Sequence, residues 1–217
     1  TQVGHDAAMA VRAANTYPGQ IATLILPANV SWEEGGVEAA PLPAPVPPAA
    51  DGSAIDNAPR ALRSSRNVLL LLSGDAVMPP AQALVQRIAQ ATGAAVMADY
   101  VTAHLARGRG RMPLERVPYG MDAAIQALAR FEHITLVNAK APVGFFAYPG
   151  MPSTQYPDSA QLHVLTRPAQ NPLPALQALA DALHAPQAAI PDAGPRPGVA
   201  TGAPTPGSLA QTLAALM

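Results

Sequence analysis

The hydrophobic pattern is most regular between residues 67 and 99. It opens with Val68–Leu72, an apolar run without alternation, which favours a strand buried on both faces as in a parallel sheet. Pro79-Pro80 can start a helix, because a fixed φ suits the first turn, and Gly93 can end it. The apolar stripe of that helix comprises Ala81, Leu84, Val85, Ile88 and Ala89. With a second strand at 95–98, the pattern predicts a right-handed βαβ unit with parallel strands.

Similar patterns extend the sheet beyond this unit. They predict a short helix near Ala58–Ser64, a helix over Met121–Ala129, strands over His133–Asn138 and Leu162–Leu165, and a closing helix over Leu173–His184. Residues 100–120 have no strong period and are predicted to be a long loop, of a length that tends to carry function or to pack over a sheet edge. The predicted fold class is therefore α/β: a doubly wound, Rossmann-like parallel sheet of at least four strands with helices on both faces.

The beginning of the chain carries a separate piece of structure. Asp6–Asn15 is predicted to be a helix, and Ile21–Leu26 a buried strand that Pro27 closes. A lone helix and strand cannot bury their apolar faces, so they resemble the last αβ unit of a domain that is otherwise absent. The chain begins with Thr1 rather than methionine, and we therefore expect an upstream portion to be missing, cleaved or removed.

Proline-rich segments separate the central unit from both ends. Prolines cluster between residues 41 and 48, and a second Pro/Ala/Gly-rich stretch follows residue 185; both are predicted to be extended linkers. Ser208 is predicted to cap a last helix, Leu209–Met217. The predicted organisation is a stub at 1–35, a linker at 36–54, a central α/β domain at 55–185, a linker at 186–206 and the first helix of a further domain at 207–217.

Composition and charge exclude several function classes. Hydrophobic residues make up 49% of the 217 and charged residues only 12%, so the chain can build a core and is not disordered as a whole. A net charge of −1 argues against a nucleic-acid or anionic-membrane partner held by bulk electrostatics. The absence of cysteine excludes disulfides and thiolate metal sites. No apolar run is long enough to span a membrane, and we predict a cytoplasmic protein.

One candidate binding site lies where open α/β sheets bind ligands, at the carboxyl edge of the strands. Gly74 and Asp75 follow the first central strand, and Lys140 follows the strand at 133–138. Gly74 and Asp75 are therefore candidate ligand-binding residues. The alternative is an ordinary tight βα turn, because only one glycine is present and Pro79-Pro80 replace a helix start with free N–H donors.

The other charged, aromatic or nucleophilic residues do not point to a definite site. Arg107, Arg109 and Arg111 could clamp a phosphate, or could form an exposed loop or pair with carboxylates of a neighbouring subunit or domain. The histidines show no ligand spacing and predict surface or strand-edge positions rather than a metal site: His5, His104, His133, His163 and His184. The aromatic segment at 145–156 could anchor an interface or could cap the edge of the sheet. Ser73 lacks the glycine pattern of a nucleophile elbow, and we assign no catalytic residue.

Several segments together resemble a known enzyme family. Pro18-Gly19, the apolar residues 24–26 and the turn Pro27-Ala28-Asn29-Val30 are similar to the end of the pyrimidine-binding domain of thiamine-diphosphate enzymes. The region from about Ala58 to His184 resembles their central domain, and the helix at 208–217 resembles the one that opens their pyrophosphate-binding domain. Within the family the resemblance is nearest to acetolactate-synthase-like proteins, including the benzoylformate-decarboxylase-like branch.

The resemblance implies a function for a longer parent protein. The parent would be a thiamine-diphosphate- and Mg²⁺-dependent enzyme that decarboxylates, cleaves or ligates 2-oxo acids, as a dimer or tetramer. The family's activating glutamate and its Gly-Asp-Gly…Asn metal signature lie outside the matched region; Gly74-Asp75 is not that signature, because Ala76 follows. The chain alone would bind no cofactor and would not catalyse. Flavin-binding members of the family hold the adenine nucleotide of FAD at the turn after the first central strand and at an anchor after the third strand. The resemblance therefore implies Gly74, Asp75 and Lys140 as the cofactor-binding set, for an adenine nucleotide whose phosphate Lys140 would meet as a point charge. The arginine-containing pattern of flavin-binding members is absent near Lys140, which argues against FAD.

Two other function classes stay open from the residues. The domain could be a stand-alone binder of NAD or another adenine nucleotide, because such proteins share its sheet type. It could instead be a ligand-free scaffold whose purpose is subunit contact through the aromatic segment. The partners predicted from the resemblance are the missing flanking domains of the same chain and further copies of it, without nucleic acid or membrane.

Overall fold

The computed structural model describes residues 2–108, 110–187 and 194–217. Thr1, Arg109 of the predicted arginine loop and residues 188–193 of the predicted second linker lie outside this description. The chain divides into two compact units, one formed by 1–106 and 114–188 and the other by 107–113 and 189–217. The central sheet and the residues Gly74, Asp75 and Lys140 belong to the first unit, and Arg107 and Arg111 belong to the second.

The elements follow one another in the order that the hydrophobic pattern predicts for an α/β domain. The helices are α1 (Val3–Ala14), α2 (Ala28–Trp32), α3 (Gly52–Leu62), α4 (Ala81–Thr92), α5 (Met121–Leu128), α6 (Pro172–Ala182) and α7 (Pro206–Leu216). The strands are β1 (Val68–Leu72), β2 (Ala95–Ala98), β3 (Glu115–Arg116), β4 (His133–Val137) and β5 (Gln161–Thr166). A 3₁₀ turn at Gly74–Val77 leads from β1 towards α4.

The strands form one parallel sheet in the order β3-β2-β1-β4-β5. β1 lies at its centre: Leu71 is in register with Met97 of β2 on one side and with Leu136 of β4 on the other. The chain moves outward from β1 in one direction through β2 and β3, and then returns to the other side through β4 and β5. The doubly wound parallel fold predicted from the sequence is confirmed.

Helices cover both faces of the sheet. On one face, α5 packs through Ala124 and Leu128 onto apolar residues of β1 and β4, including Leu71 and Leu136. On the other face, α3 packs against β4 and β5, and α6 packs against α3 and α4. All five residues of β1 are buried. A strand in this position has no solvent-facing side, which explains its unbroken apolar sequence.

The predicted βαβ unit forms as its residues indicate. Pro80 is the N-cap of α4, and the stripe residues Leu84, Val85 and Ile88 are buried. Gly93 ends the helix in the left-handed region at φ 76°, where a glycine carries no Cβ penalty, and its N–H donates to the Ala89 carbonyl at 2.8 Å. The helix therefore begins and ends at the proline and the glycine that predicted it.

The predicted strand at Ile21–Leu26 is wrong. No strand forms there, and the side chains of Ile21 and Ile25 are 96% and 81% exposed. A strand needs a neighbour for its backbone hydrogen bonds, and no strand within the described ranges pairs with this segment. The next residues form a short helix, α2, instead of the predicted turn, with Ser31 N–H donating to the Pro27 carbonyl.

Two further predictions need correction. The loop predicted at 100–120 contains β3, an edge strand of two residues that pairs with Met97 and Ala98; it is too short to show a period. The last helix is capped by Thr205 rather than by Ser208. The Thr205 Oγ1 accepts the Ser208 N–H at 3.1 Å while the Ser208 Oγ accepts the Thr205 N–H at 2.7 Å, which is a reciprocal capping box.

The helices can be measured against the length and hydropathy that a bilayer requires. Across the described parts of the chain, none is both long and apolar enough to cross a membrane.

Candidate functional site

The candidate site lies at the carboxyl edge of the sheet, between β1 and β4. The strand order reverses at this point, which is where open α/β sheets form a crevice for ligands. Gly74 after β1 and Asn138 after β4 both have left-handed backbones, at φ 51° and 53°. A Cβ on Gly74 would lie 3.6 Å from the Cβ of Asn138, and Ser73 N–H donates to the Val137 carbonyl at 3.0 Å. The two chain turns are therefore in close contact.

The predicted cofactor-binding residues divide between two surroundings. Gly74 lies at the crevice, and the exposed Lys140 follows β4 at the same edge, where its charge acts on Asp99. Asp75 instead interacts with Tyr17, between α1 and α2. Burial raises the pKa of Tyr17, and the negative charge of Asp75 raises it further. The structure thus places Gly74 and Lys140 at one edge, whereas Asp75 faces the N-terminal segment.

The start of α4 offers few donors to a phosphate. Pro79 and Pro80 have no N–H, and the N–H groups of Gln82 and Ala83 already donate to the carbonyls of Met78 and Pro80 at 3.0 and 3.1 Å. Phosphate groups are held at such helix starts by N–H groups that have no other partner. The geometry is that of a tight βα turn, the alternative that the sequence left open for Ser73-Gly74-Asp75.

Sequence reasoning missed Asp99, the residue that follows β2 at this edge. Asp99 is buried, and burial raises the pKa of its carboxyl group. The backbone N–H groups of Val101 and Tyr100 and the charge of Lys140 lower that pKa and so act against the burial. A carboxyl group whose pKa is shifted by burial at the strand ends makes Asp99 a candidate functional residue. Its position directly after a predicted strand was the signal that could have identified it.

Aromatic rings, all exposed except the half-buried Tyr100, line the same edge and form what we call the aromatic ladder: Tyr100, Tyr119, Phe145, Phe146 and Tyr148. Successive ring centroids are 5.8, 6.2, 4.7 and 6.3 Å apart. The rings come from segments that follow β2, β3 and β4, so the parallel topology brings them together. Tyr119 is 58% exposed and Phe145 62%. Of the two alternatives for the aromatic segment, this exposure favours an interface over a cap on the sheet.

The side chain of Asn138 fixes the loop that follows β5. Its Nδ2 donates to the carbonyls of Arg167 and Gln170 at 2.9 and 2.8 Å. The Gln170 Nε2 in turn donates to the Ala49 carbonyl at 2.6 Å, and Arg167 pairs with Asp51 at 2.9 Å. The end of the first predicted linker is thereby held at the carboxyl edge. Asn138 is a structural residue that sequence reasoning placed only at a strand end.

Over the residues that the structure describes, no three His, Asp or Glu side chains converge to hold a cation such as Mg²⁺. Arg107 and Arg111 lie in a turn closed by the Arg111 N–H and the Gly108 carbonyl, and Arg109 is outside the description. Two of the five histidines, His133 and His163, are in contact, which their separation of thirty residues in the sequence did not predict.

The sequence was compared with protein-family models and with curated proteins. No family model matches the chain. Over 218 residues it is 41% identical to the "Putative acetolactate synthase large subunit IlvX" of Mycobacterium tuberculosis, with 99% of this chain and 41% of that protein covered.

Two solved structures share the fold at low identity. A thiamin diphosphate-dependent enzyme from Mycobacterium smegmatis, itself a "putative" assignment, matches with a TM-score of 0.62, 18% identity and coverage of 90% of this chain and 40% of that one. The Rhodococcus jostii 4-hydroxybenzoylformate decarboxylase matches with a TM-score of 0.51, 16% identity and coverage of 93% and 41%. The chain thus spans about two fifths of the length of these relatives. It resembles a segment of the acetolactate-synthase-like, thiamine-diphosphate-dependent proteins, as the sequence predicted.

Proposed function

We propose that this chain is the central region of a thiamine-diphosphate- and Mg²⁺-dependent acetolactate-synthase-like enzyme that acts on 2-oxo acids. The reaction class is decarboxylation, cleavage or carboligation, and the chain by itself is inactive. The observation that carries the proposal is the 41% identity that extends over 99% of the chain, to one segment of a protein described as an acetolactate synthase large subunit. An identity of this extent includes the ends as well as the sheet, so it supports the order of parts and not the fold alone.

The role of the chain in such an enzyme is architectural. Its described residues offer no cluster for the metal ion, and the turn after β1 has few free N–H donors for a phosphate. What the chain supplies is a rigid parallel sheet whose carboxyl edge carries the aromatic ladder and the Asp99–Lys140 charges. Such an edge can position neighbouring segments of the same polypeptide or a second subunit.

Calorimetric titration of thiamine diphosphate with Mg²⁺ tests the proposal. The product of the complete reading frame is expected to bind the cofactor, and the 217-residue chain, as the matched control, is expected to release no heat of binding. A parallel titration with an adenine nucleotide separates the stand-alone binder from the enzyme segment. Absence of cofactor binding by the longer protein, or micromolar binding of an adenine nucleotide by the short chain, would overturn the proposal.

A specific observation favours a second role, that of a contact surface between copies of this chain. The aromatic ladder exposes several large rings together, and Val143 beside it is 48% exposed. Contiguous exposed apolar surface of this kind is uncommon on monomers, and aromatic residues are enriched at the centres of interfaces. The partner we propose is a second copy, because the family resemblance implies a homo-oligomer.

Replacement of Phe145 and Phe146 by serine is expected to shift the protein to monomer in sedimentation velocity. Both rings are more than half exposed, so the free energy of unfolding of the monomer should change by less than about 1 kcal/mol. A matched control is Trp32→Ser, which removes another exposed aromatic side chain, 85% exposed and in α2. An unchanged oligomeric state in the double variant, or an equal loss in the Trp32 variant, would contradict this role of the ladder.

A further inference from the structure

The structure contains a second polar site, at the opposite, amino edge of the sheet. A cleft of about 390 Å³ opens between α3 and the first residues of β4 and β5. We call it the histidine cleft; its polar lining residues are Asn57, Arg60, Ser64, His133, Gln161 and His163. The cleft lies away from the carboxyl edge, and its chemistry does not depend on the proposed enzyme.

Strand alternation explains why polar side chains reach this cleft. Ile134 and Leu136 of β4 point into the apolar cluster beneath α5, so His133 and Thr135 take the face that α3 covers. In β5 the register places Gln161 beside His133 and His163 beside Thr135. A face buried by a helix normally carries apolar residues. Here the amino ends of two neighbouring strands place polar groups there instead.

The two histidines are in direct contact. The His133 Nδ1 and the His163 Nε2 are 3.1 Å apart, and the rings are stacked with centroids 5.3 Å apart. One N–H must lie between these two nitrogens, because each neutral ring has one donor and one acceptor nitrogen. When both rings carry a proton on every nitrogen, the two cations face each other, and an anion in the cleft would compensate their charge.

A buried hydroxyl group next to the cleft has no partner. Thr135 is fully buried, and its Oγ1 makes no hydrogen bond with the described residues. It lines a neighbouring cavity of about 180 Å³, which shares Asn57 and His163 with the histidine cleft. An orphaned buried hydroxyl costs free energy, and in native proteins it often marks the position of a water molecule or an ion.

The charges around the cleft favour an anion. Arg60, in the last turn of α3, is the cationic group in the described lining, and that lining includes no carboxylate. Glu132, just before β4, lowers the net positive charge near His133, but its Oε1 accepts a hydrogen bond from Asn67 Nδ2 at 3.0 Å. Arg63 at the end of the same helix donates to the Leu183 carbonyl instead. Arginine and imidazolium groups together are a typical donor set for oxyanions.

We propose that the histidine cleft binds a tetrahedral phosphate oxyanion between Arg60 and the His133–His163 pair. Inorganic phosphate and the phosphate group of a small metabolite have the chemistry required: negative charge and acceptor oxygens on several sides. The Arg60 guanidinium and the N–H groups of the histidine pair supply donors, and the Asn57 and Gln161 side chains line the remaining wall.

Binding in this site depends on pH through the histidine pair. Burial lowers the pKa of His163, and the nearby His133 lowers it further. Because this lowered pKa favours the neutral ring in the folded state, its contribution to stability is fully present above the ordinary histidine pKa and is lost as the pH falls from there through the lowered folded-state pKa. A bound anion favours the charged ring and reverses that loss. Binding of phosphate is therefore expected to raise the pKa of His163.

The test is titration of inorganic phosphate into the 217-residue chain, followed by calorimetry and by the NMR signals of the histidine rings. Binding is expected to raise the pKa of His163, seen as a higher midpoint of its NMR titration with phosphate than without it, because the anion stabilises the charged ring. The signals of His133 and His163 should shift, and that of His104, which follows β2 at the other edge, should not. A parallel titration with glycerol phosphate shows whether the cleft prefers a phosphate ester or the free ion, because the preferred ligand binds more tightly.

Matched variants make the site falsifiable. Arg60→Gln and His163→Gln are each expected to weaken phosphate binding about tenfold, the effect of one lost charge-assisted bond. Arg116→Gln, an exposed arginine of β3, is the control and should leave it unchanged. Because the Arg60 side chain is exposed, its variant stays folded even where the histidine variant does not. Three results would overturn the proposal. They are binding of chloride as tight as that of phosphate, His133 and His163 signals that do not shift, and full phosphate affinity in Arg60→Gln.

Discussion

Leu71→Ala is expected to lower the free energy of unfolding by about 3 kcal/mol, within the range measured for fully buried leucines. Leu71 is 0% exposed and lies in β1, with Met97 and Leu136 as its register neighbours on the two adjacent strands. The side chain belongs to the apolar cluster beneath α5. Close neighbours on both sides limit how far the cavity can collapse, and the cavity adds to the lost transfer free energy.

A matched control exists in the same residue type. Leu26 lies in the segment whose predicted strand does not form, and its side chain is 49% exposed. Leu26→Ala should therefore change the free energy of unfolding by less than about 1 kcal/mol. Urea denaturation followed by circular dichroism measures both variants, with an unchanged slope as the sign of an unchanged denatured state. Equal losses in the two variants would mean that the buried sheet is not the source of stability.

The contrast between Val68–Leu72 and Ile21–Leu26 shows how far the sequence could predict the fold. Both runs are apolar and of similar length, and both indicate a buried strand. Only the first has partners within the described chain, β2 and β4, to take its backbone hydrogen bonds. Local pattern identifies the potential for a strand, whereas pairing depends on residues far away in the sequence. The βαβ unit was predictable because its proline, stripe and glycine are all local signals.

The candidate sites show the same contrast between local sequence signals and contacts that join distant residues. The sequence placed Gly74 and Lys140 at one edge, because the ends of parallel strands converge by topology. It missed that Asp75 interacts with Tyr17, since that contact joins segments almost sixty residues apart. It also missed the His133–His163 contact, which depends on the register of β4 against β5. The sequence can therefore predict which residues lie near one another when the order of the strands alone brings them together. It cannot do so when their contact depends on strand register or on a distant segment.

Asn138→Leu is expected to lower the free energy of unfolding by about 3 to 4 kcal/mol, through two separate losses. The first is the side-chain amide, which donates to the Arg167 and Gln170 carbonyls; each buried polar group left without its partner costs about 1 to 3 kcal/mol. The second is the backbone at φ 53°, where asparagine is tolerated and leucine costs about 1 to 2 kcal/mol. Leucine is no smaller than asparagine, so lost volume does not contribute.

Asn138→Gly separates these two losses. Glycine adopts the left-handed backbone without strain but has no amide, so the expected loss is about 1 kcal/mol or more smaller than in the leucine variant. Because the amide fixes the loop whose Gln170 donates to the Ala49 carbonyl, both variants should also speed amide hydrogen exchange near residues 49–51. Urea denaturation and hydrogen exchange measure the two effects. Equal destabilisation by leucine and glycine would remove the backbone contribution, and unchanged exchange near Ala49 would show that Asn138 does not hold the linker at this edge.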